Sequence, residues 1–278
     1  GFDRGFEDFR YLAPARYLGA PARANRLAAY NVYRLLRERF WRGGRQVRHF
    51  YRSARTVNAL AFEMLDQMGD DLFFLWLHYM EPHDPYFAID GSSFARVSDP
   101  HPKLSDARAM HDAYRDGVHR TDEAFGELLD GLRARGLSER TTVIFVADHG
   151  EEFGEHGGFY HGQTLYEEEL HVPLAMNVPG TLPHEITSIA RQIDIAPTIL
   201  AHFGVPIPPT WEGRNLLDAG PAPDVALAEE DHEGNRLQSI RQGAAKLIVA
   251  NPDNPRGLAP VERFDLAADP HERTPLPT

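Results

Sequence analysis

A chain of 278 residues, 42% of them hydrophobic, can bury a full core and has the length of one large domain with room for a smaller appendage. It has no cysteine, which excludes disulfides and thiolate zinc sites, and no apolar run nears the ~18 residues of a membrane span. A formal charge of −12 argues against a nucleic-acid partner.

That charge is unevenly spread. Between residues 23 and 55, Arg23, Arg26, Arg34, Arg37, Arg39, Arg42, Arg45, Arg48, Arg52 and Arg55 stand against the single acid Glu38, a local +9 that leaves −21 elsewhere. Leu27, Tyr30, Leu36, Phe40 and Trp41 are interleaved with the arginines. Such a segment suits an anionic polymer, a membrane surface or an acidic partner. The plainer reading, preferred because charge runs usually face water, is a solvated helix with its apolar side packed on a sheet.

In chain order, residues 1–22 read as loop with short pieces. The chain opens at Gly1 and not at Met, so a missing amino-terminal portion is expected, and any targeting signal with it. The compartment stays open, periplasmic and secreted locations included. Val57, Leu60, Ala61, Met64, Leu65 and Met68 fall on one face of an amphipathic helix that Gly69 closes. Residues 72–77 then form a strand-sized apolar run. It gives out into His78-Tyr79-Met80-Glu81-Pro82-His83-Asp84-Pro85-Tyr86, where two prolines forbid helix and hold His83 on a short stiff loop.

After a surface excursion over residues 87–105, Met110, Tyr114, Val118, Phe125, Leu128, Leu129 and Leu132 define a long helix with Gly136 as its stop. Residues 142–147 read as a strand buried on both faces of a parallel sheet. It ends abruptly at Asp148-His149-Gly150. Residues 172–178 are another strand, and Ile193, Ile195, Ile199, Leu200 and Phe203 make a helix with Pro197 in its first turn or at a kink. Residues 205–213 are loop. Short strands follow at 225–228, 237–241, 246–250 and 263–266, with turns at 231–235 and 251–257, as in an antiparallel sheet. The whole is an α/β chain with a mostly parallel central sheet sandwiched by helices over residues 1–216 and a small antiparallel-sheet subdomain over 217–278.

Strand, helix, long loop, helix, strand is the pattern of crossover units, so His83 and Asp148 are expected at one sheet edge. Asp148 and His149 can both be deprotonated ligands of a divalent cation, although an Asp at a strand end can equally be a turn or helix cap. Oxygen ligands with one imidazole suit calcium or magnesium and admit manganese or zinc. Glu151, Glu152 and Glu155 could be ligands, but the preferred reading is of acids favoured in the first turn of a helix by its dipole. His156 is open between a structural hydrogen bond and support of a ligand. Tyr166, Glu167 and Glu168 read as fixing the strand that follows.

The segments FFLWLHYMEPHDPY, TTVIFVADHGEEFGEHG, HGQTLYEEELHVPL and QIDIAPTIL, with GFDRGFEDF before them and SIRQGAAKLI and RFDLAADPHE after, stand in an order and spacing that resembles the sulfatase family of the alkaline phosphatase superfamily. The resemblance implies an alkaline phosphatase-like fold and a metal-dependent hydrolase of sulfate esters. By position, Asp148 and His149 match the pair completing a cation site that usually holds calcium, and His83 matches the histidine that contacts the ester group. His161 matches a histidine that commonly precedes a lysine; here that lysine position is Gly162, which leaves His161 as the anion contact. His171 stands where many members have arginine. The family's nucleophile, a formylglycine-forming cysteine or a serine, precedes the GFDRGF element, so the chain is expected to be the carboxyl-terminal two thirds of an enzyme and inactive alone. Partners are then small-molecule or glycan sulfate or phosphate esters. The alternatives are a phosphoester or phosphonoester hydrolase of the same superfamily, or a non-catalytic binder of anionic glycans through residues 23–55.

Overall fold

The computed structural model describes residues 3–41, 46–218 and 224–277; Arg42 and Arg45 of the basic segment lie outside them. Its contacts gather the chain into two compact units, one of Gly1–Thr141 with Phe153–Tyr160 and one of Thr142–Glu152 with His161–Thr278. These divide the chain differently from the change of sequence texture near residue 216. No helix among the described residues is long and apolar enough to cross a membrane.

In the first unit, helix α1 spans Ala28–Phe40 and α2 spans Ala54–Met68. Ser53 caps α2 by accepting from the Thr56 amide at 3.3 Å, and Gly69 ends it at φ 62°, where a side chain would be strained. Strands β1 (Tyr86–Phe87) and β2 (Ser93–Phe94) form a small antiparallel ladder. Helix α3 runs over Ala107–Ala134, and its last carbonyls are met by the amides of Gly136 and Leu137 in a left-handed turn at Gly136. Its buried Met110 and Ala113 pack with Tyr86, Phe153, Phe159 and Tyr160 into one core cluster. Both long helices therefore match the apolar spacing that announces them.

In the second unit, β3 is Val143–Val146. Short strands β4 (Glu152–Phe153) and β5 (Phe159–Tyr160) stand where the chain passes between units. The one-turn helix α4 (Glu167–Leu170), β6 (Leu174–Asn177) and α5 (Ile195–His202) follow, with Pro197 in the first turn of α5. Strands β7 (Val225–His232), β8 (Asn235–Gln242), β9 (Ala245–Ala250) and β10 (Val261–Asp265) make a four-stranded antiparallel sheet in the order β10-β9-β8-β7. The β7–β8 turn puts Glu233 and Gly234 at φ 51° and 88°, the two positive values that a tight hairpin needs.

Four expectations are corrected. Residues 72–77 join no ladder among the described residues, and alternate positions Leu72, Phe74 and Trp76 are exposed. Composition marks an apolar extended run; it does not supply a neighbouring strand. Strand β3 is half-buried and pairs antiparallel with β6, from Val143↔Asn177 to Val146↔Leu174, so it is not a parallel strand covered on both faces. Glu151 and Glu152 lie in an extended stretch and not in a first helical turn. Finally, α1 does not pack its apolar side inward: Leu35, Leu36 and Phe40 are exposed while Glu38 is buried.

Candidate active site

Asp148-His149-Gly150 leaves the end of β3 under tight local control. The Gly150 amide donates to the Glu169 carbonyl at 2.8 Å and the Glu151 amide to that of Glu168 at 3.0 Å, so α4 grips the backbone just past the Asp-His pair. A Cβ at Gly150 would lie 1.9 Å from the Glu168 carbonyl oxygen, which only glycine allows. On the other side the Gln192 amide donates to the carbonyls of Ala147 at 3.0 Å and Asp148 at 2.7 Å. The QIDIAPTIL segment thus steadies the strand end.

The side chains follow from that frame. The His149 Nδ1–H donates to the Gly150 carbonyl at 2.7 Å, which makes Nε2 the lone-pair nitrogen. The Asp148 carboxylate is largely exposed and accepts the His149 amide at 3.1 Å. His161 stacks beside His149 with ring centres 4.0 Å apart and donates from Nδ1 to Glu151 at 2.9 Å. Glu151 is buried, so a carboxylate hidden from water orients an imidazole that reaches it. Asp148, His149 and His161 are brought together, while His83 belongs to the other unit.

His83 sits on a loop fixed at three points. The Glu81 carboxylate accepts the Ala54 amide at 2.6 Å, at the start of α2; the Glu81 carbonyl accepts the Tyr51 hydroxyl at 3.0 Å; and α3 approaches so closely that a Cβ on Gly117 would lie 2.7 Å from that carbonyl. His83 itself donates from Nδ1 to the Asp84 carbonyl at 2.7 Å. Its Nε2 is again the second nitrogen.

The donor set fits a divalent cation. Asp148 Oδ1 and His149 Nε2 are 3.9 Å apart, a span that two bonds of about 2.0 to 2.4 Å to one ion can bridge. Two functional acids escaped the sequence. Glu151 holds His161, and the buried Glu169 accepts the Gly162 amide at 2.8 Å and the Thr164 hydroxyl at 2.5 Å, so it shapes the loop that carries His161. Their signal was position: both stand inside the quoted motifs, yet each looks like an ordinary surface acid. Tyr166 donates to Glu262 and Glu167 pairs with Arg241 and Lys246, so both reach the carboxyl-terminal sheet and not the strand that follows them.

A structure of a protein in complex with its substrate D-glucosamine-2-N,6-O-disulfate aligns at TM-score 0.53 and 28% identity, over 60% of this chain and 36% of that one. The phosphonate monoester hydrolase of Silicibacter pomeroyi aligns at TM-score 0.61 and 19% identity, over 87% and 65%. The fold is therefore the α/β, alkaline phosphatase-like one, with a small antiparallel sheet at the carboxyl terminus. The family model described as Sulfatase matches residues 11–205, and the chain belongs to the sulfatase family. Arylsulfatase K of Rattus norvegicus is 33% identical over 173 residues, 57% of this chain and 30% of the relative, so the chain spans well under half of that protein's length. The family generally uses a divalent metal.

Proposed function

We propose that the whole protein hydrolyses sulfate esters, with a divalent cation held by Asp148 and His149 and with His161 and His83 on the ester group. The observation that carries this reading is the imidazole pair His149 and His161, 4.0 Å apart, each with Nδ1 committed to a fixed oxygen. When bound, the cation supplies positive charge against the non-bridging ester oxygens, and calcium is the ion the carboxylate favours. His149 presents Nε2 as a ligand because Gly150 holds its other nitrogen. His161, steadied by Glu151, binds an ester oxygen or holds a proton at Nε2 for the leaving oxygen. His83, on a loop braced within its own unit, is the candidate for a further imidazole by its match to the family motif alone. Glycan sulfate esters are the substrate class to try first, since one solved relative was captured with a sulfated glucosamine.

Phosphonate or phosphate esters are the second reading. It is raised by Gly162, which at φ 77° stands where the motif resemblance leads one to expect a lysine, so the contacts to the anion differ from the sulfatase pattern.

The test is hydrolysis of aryl sulfates, phosphates and phosphonates by the whole protein, with its metal content measured alongside. Sulfate esters should be preferred, and Asp148→Ala should lose the bound metal together with about 100-fold or more of the turnover. Undiminished activity in that variant would remove Asp148 from the site.

A further inference from the structure

Within the second unit, the tip of the β7–β8 hairpin is pinned to the segments that carry the ester site. At the turn, the Gln163 amide donates to Glu233 at 2.9 Å, one residue past Gly162. From the neighbouring turn over residues 251–257, the Arg256 guanidinium donates to both oxygens of the buried Glu152 at 2.9 Å, next in sequence to the Glu151 that holds His161. That turn grips the hairpin as well. The Asn251 side chain donates to the Gly234 carbonyl at 3.1 Å, the Arg256 amide donates to Asn235 Oδ1 at 3.2 Å, and a Cβ on Gly234 would lie 3.2 Å from Pro255.

This docking decides which side chain meets Gly162. Gly162 itself has nothing to offer an anion: it carries no side chain, and its amide is taken by Glu169 at 2.8 Å. A Cβ built there would lie 3.6 Å from His232 Cδ2, an ordinary contact distance, so the imidazole of His232 stands where a side chain at 162 would grow. The sheet's Arg241, Lys246 and Arg256 are spent on Glu167 and Glu152. His232 is backed by an acid, with Nε2 3.7 Å from Glu233 Oε1, and the other oxygen of that carboxylate is held by Gln163. An imidazole beside a carboxylate that is itself fixed repeats, more loosely, the pairing of His161 with Glu151 at 2.9 Å.

We propose that His232 is a substrate-binding residue of the ester site, donating an N–H to a non-bridging ester oxygen from the place that a side chain at 162 would occupy. The inference rests on the hydrolase reading of that site and adds to it a contact supplied by the carboxyl-terminal sheet. An oxyanion taken out of water needs a donor in return for each one it gives up, and beside His161 the chain supplies that donor through space from the hairpin and not from the next residue along.

The experiment uses the whole protein, with inorganic sulfate for binding by calorimetry and an aryl sulfate for turnover. His232→Ala should weaken sulfate binding about tenfold and lower kcat/KM for the ester by a similar factor, with melting temperature and bound metal unchanged. His232→Gln, which keeps a donor, should fall between the two. In the wild type with ring-labelled histidine, the His232 resonance, assigned by its loss in the alanine variant, should shift when sulfate is added. Unchanged sulfate affinity and KM in His232→Ala would overturn the proposal and leave the hydrolase reading standing, as would a fall in affinity that comes only with a lowered melting temperature in both variants. Absence of sulfate binding by the wild type overturns it too. Sulfate binding that depends on His232 in a protein that hydrolyses no ester would uphold the contact and overturn the hydrolase reading.

Discussion

Glu169 is a carboxyl whose environment pulls in two directions. Burial pushes it up to about 7, against the opposing pull of the hydrogen bonds from Thr164 and Gly162. Between its ordinary value of 4.5 and that raised one, the folded chain keeps a proton that the unfolded chain has released, so this group's stability contribution is complete below 4.5 and is lost as pH rises toward 7. Glu169→Gln should remove that slope: in urea unfolding at about pH 5 and about pH 7.5, wild type should gain about 1 to 3 kcal/mol on the variant at the lower pH. The place of Asp148 and His149, at the end of an apolar run that becomes β3, was legible in the sequence because a run that gives out abruptly into polar residues marks a strand terminus. Glu151 and Glu169 were not, since a carboxylate that positions another residue has the same letter as one facing water. Only the fold, which buries both, tells them apart.

Among the elements, glycine at a point of close approach matters more than glycine at a turn. Gly117 lies mid-helix in α3, where alanine would otherwise be the better residue, yet a Cβ there meets the Glu81 carbonyl oxygen at 2.7 Å and Pro82 Cα at 3.3 Å. Gly117→Ala should therefore destabilise by about 1 to 3 kcal/mol in thermal unfolding, and hydrogen exchange should quicken over residues 78–85, the loop that carries His83. Exchange unchanged in that loop would show that α3 does not brace it. Helices α2 and α3 were legible because a 3.6-residue period and a terminal glycine are local features. The direction of β3 and the failure of residues 72–77 to join a ladder were not, because pairing is decided by a segment far along the chain. The orientation of α1 was hidden for a related reason: periodicity defines a stripe without saying which way it faces.

At the scale of the whole molecule, the carboxyl-terminal sheet is tied to the candidate site through one buried cation. Lys246 on β9 is 3% exposed and places its Nζ 2.9 Å from Glu167 and 2.7 Å from Glu272, while Glu272 also accepts the Glu167 amide at 2.6 Å. Glu167 opens α4, whose carbonyls hold Gly150 and Glu151. Lys246→Met would leave the buried Glu272 without its cation while Glu167 keeps Arg241, and the cost should be about 2 to 4 kcal/mol by chemical unfolding, reduced when Glu272→Gln is added. The pairings of β7 to β10 and the alkaline phosphatase-like class were legible from hairpin signals and motif order; this tie was not, since no spacing rule joins residues 167, 246 and 272. The apolar run at residues 72–77 has a practical consequence of its own. Among the described residues no strand pairs with it, and Leu72, Phe74 and Trp76 are exposed, so a concentrated preparation of the chain carries a ready nucleus for cross-strand stacking into fibres.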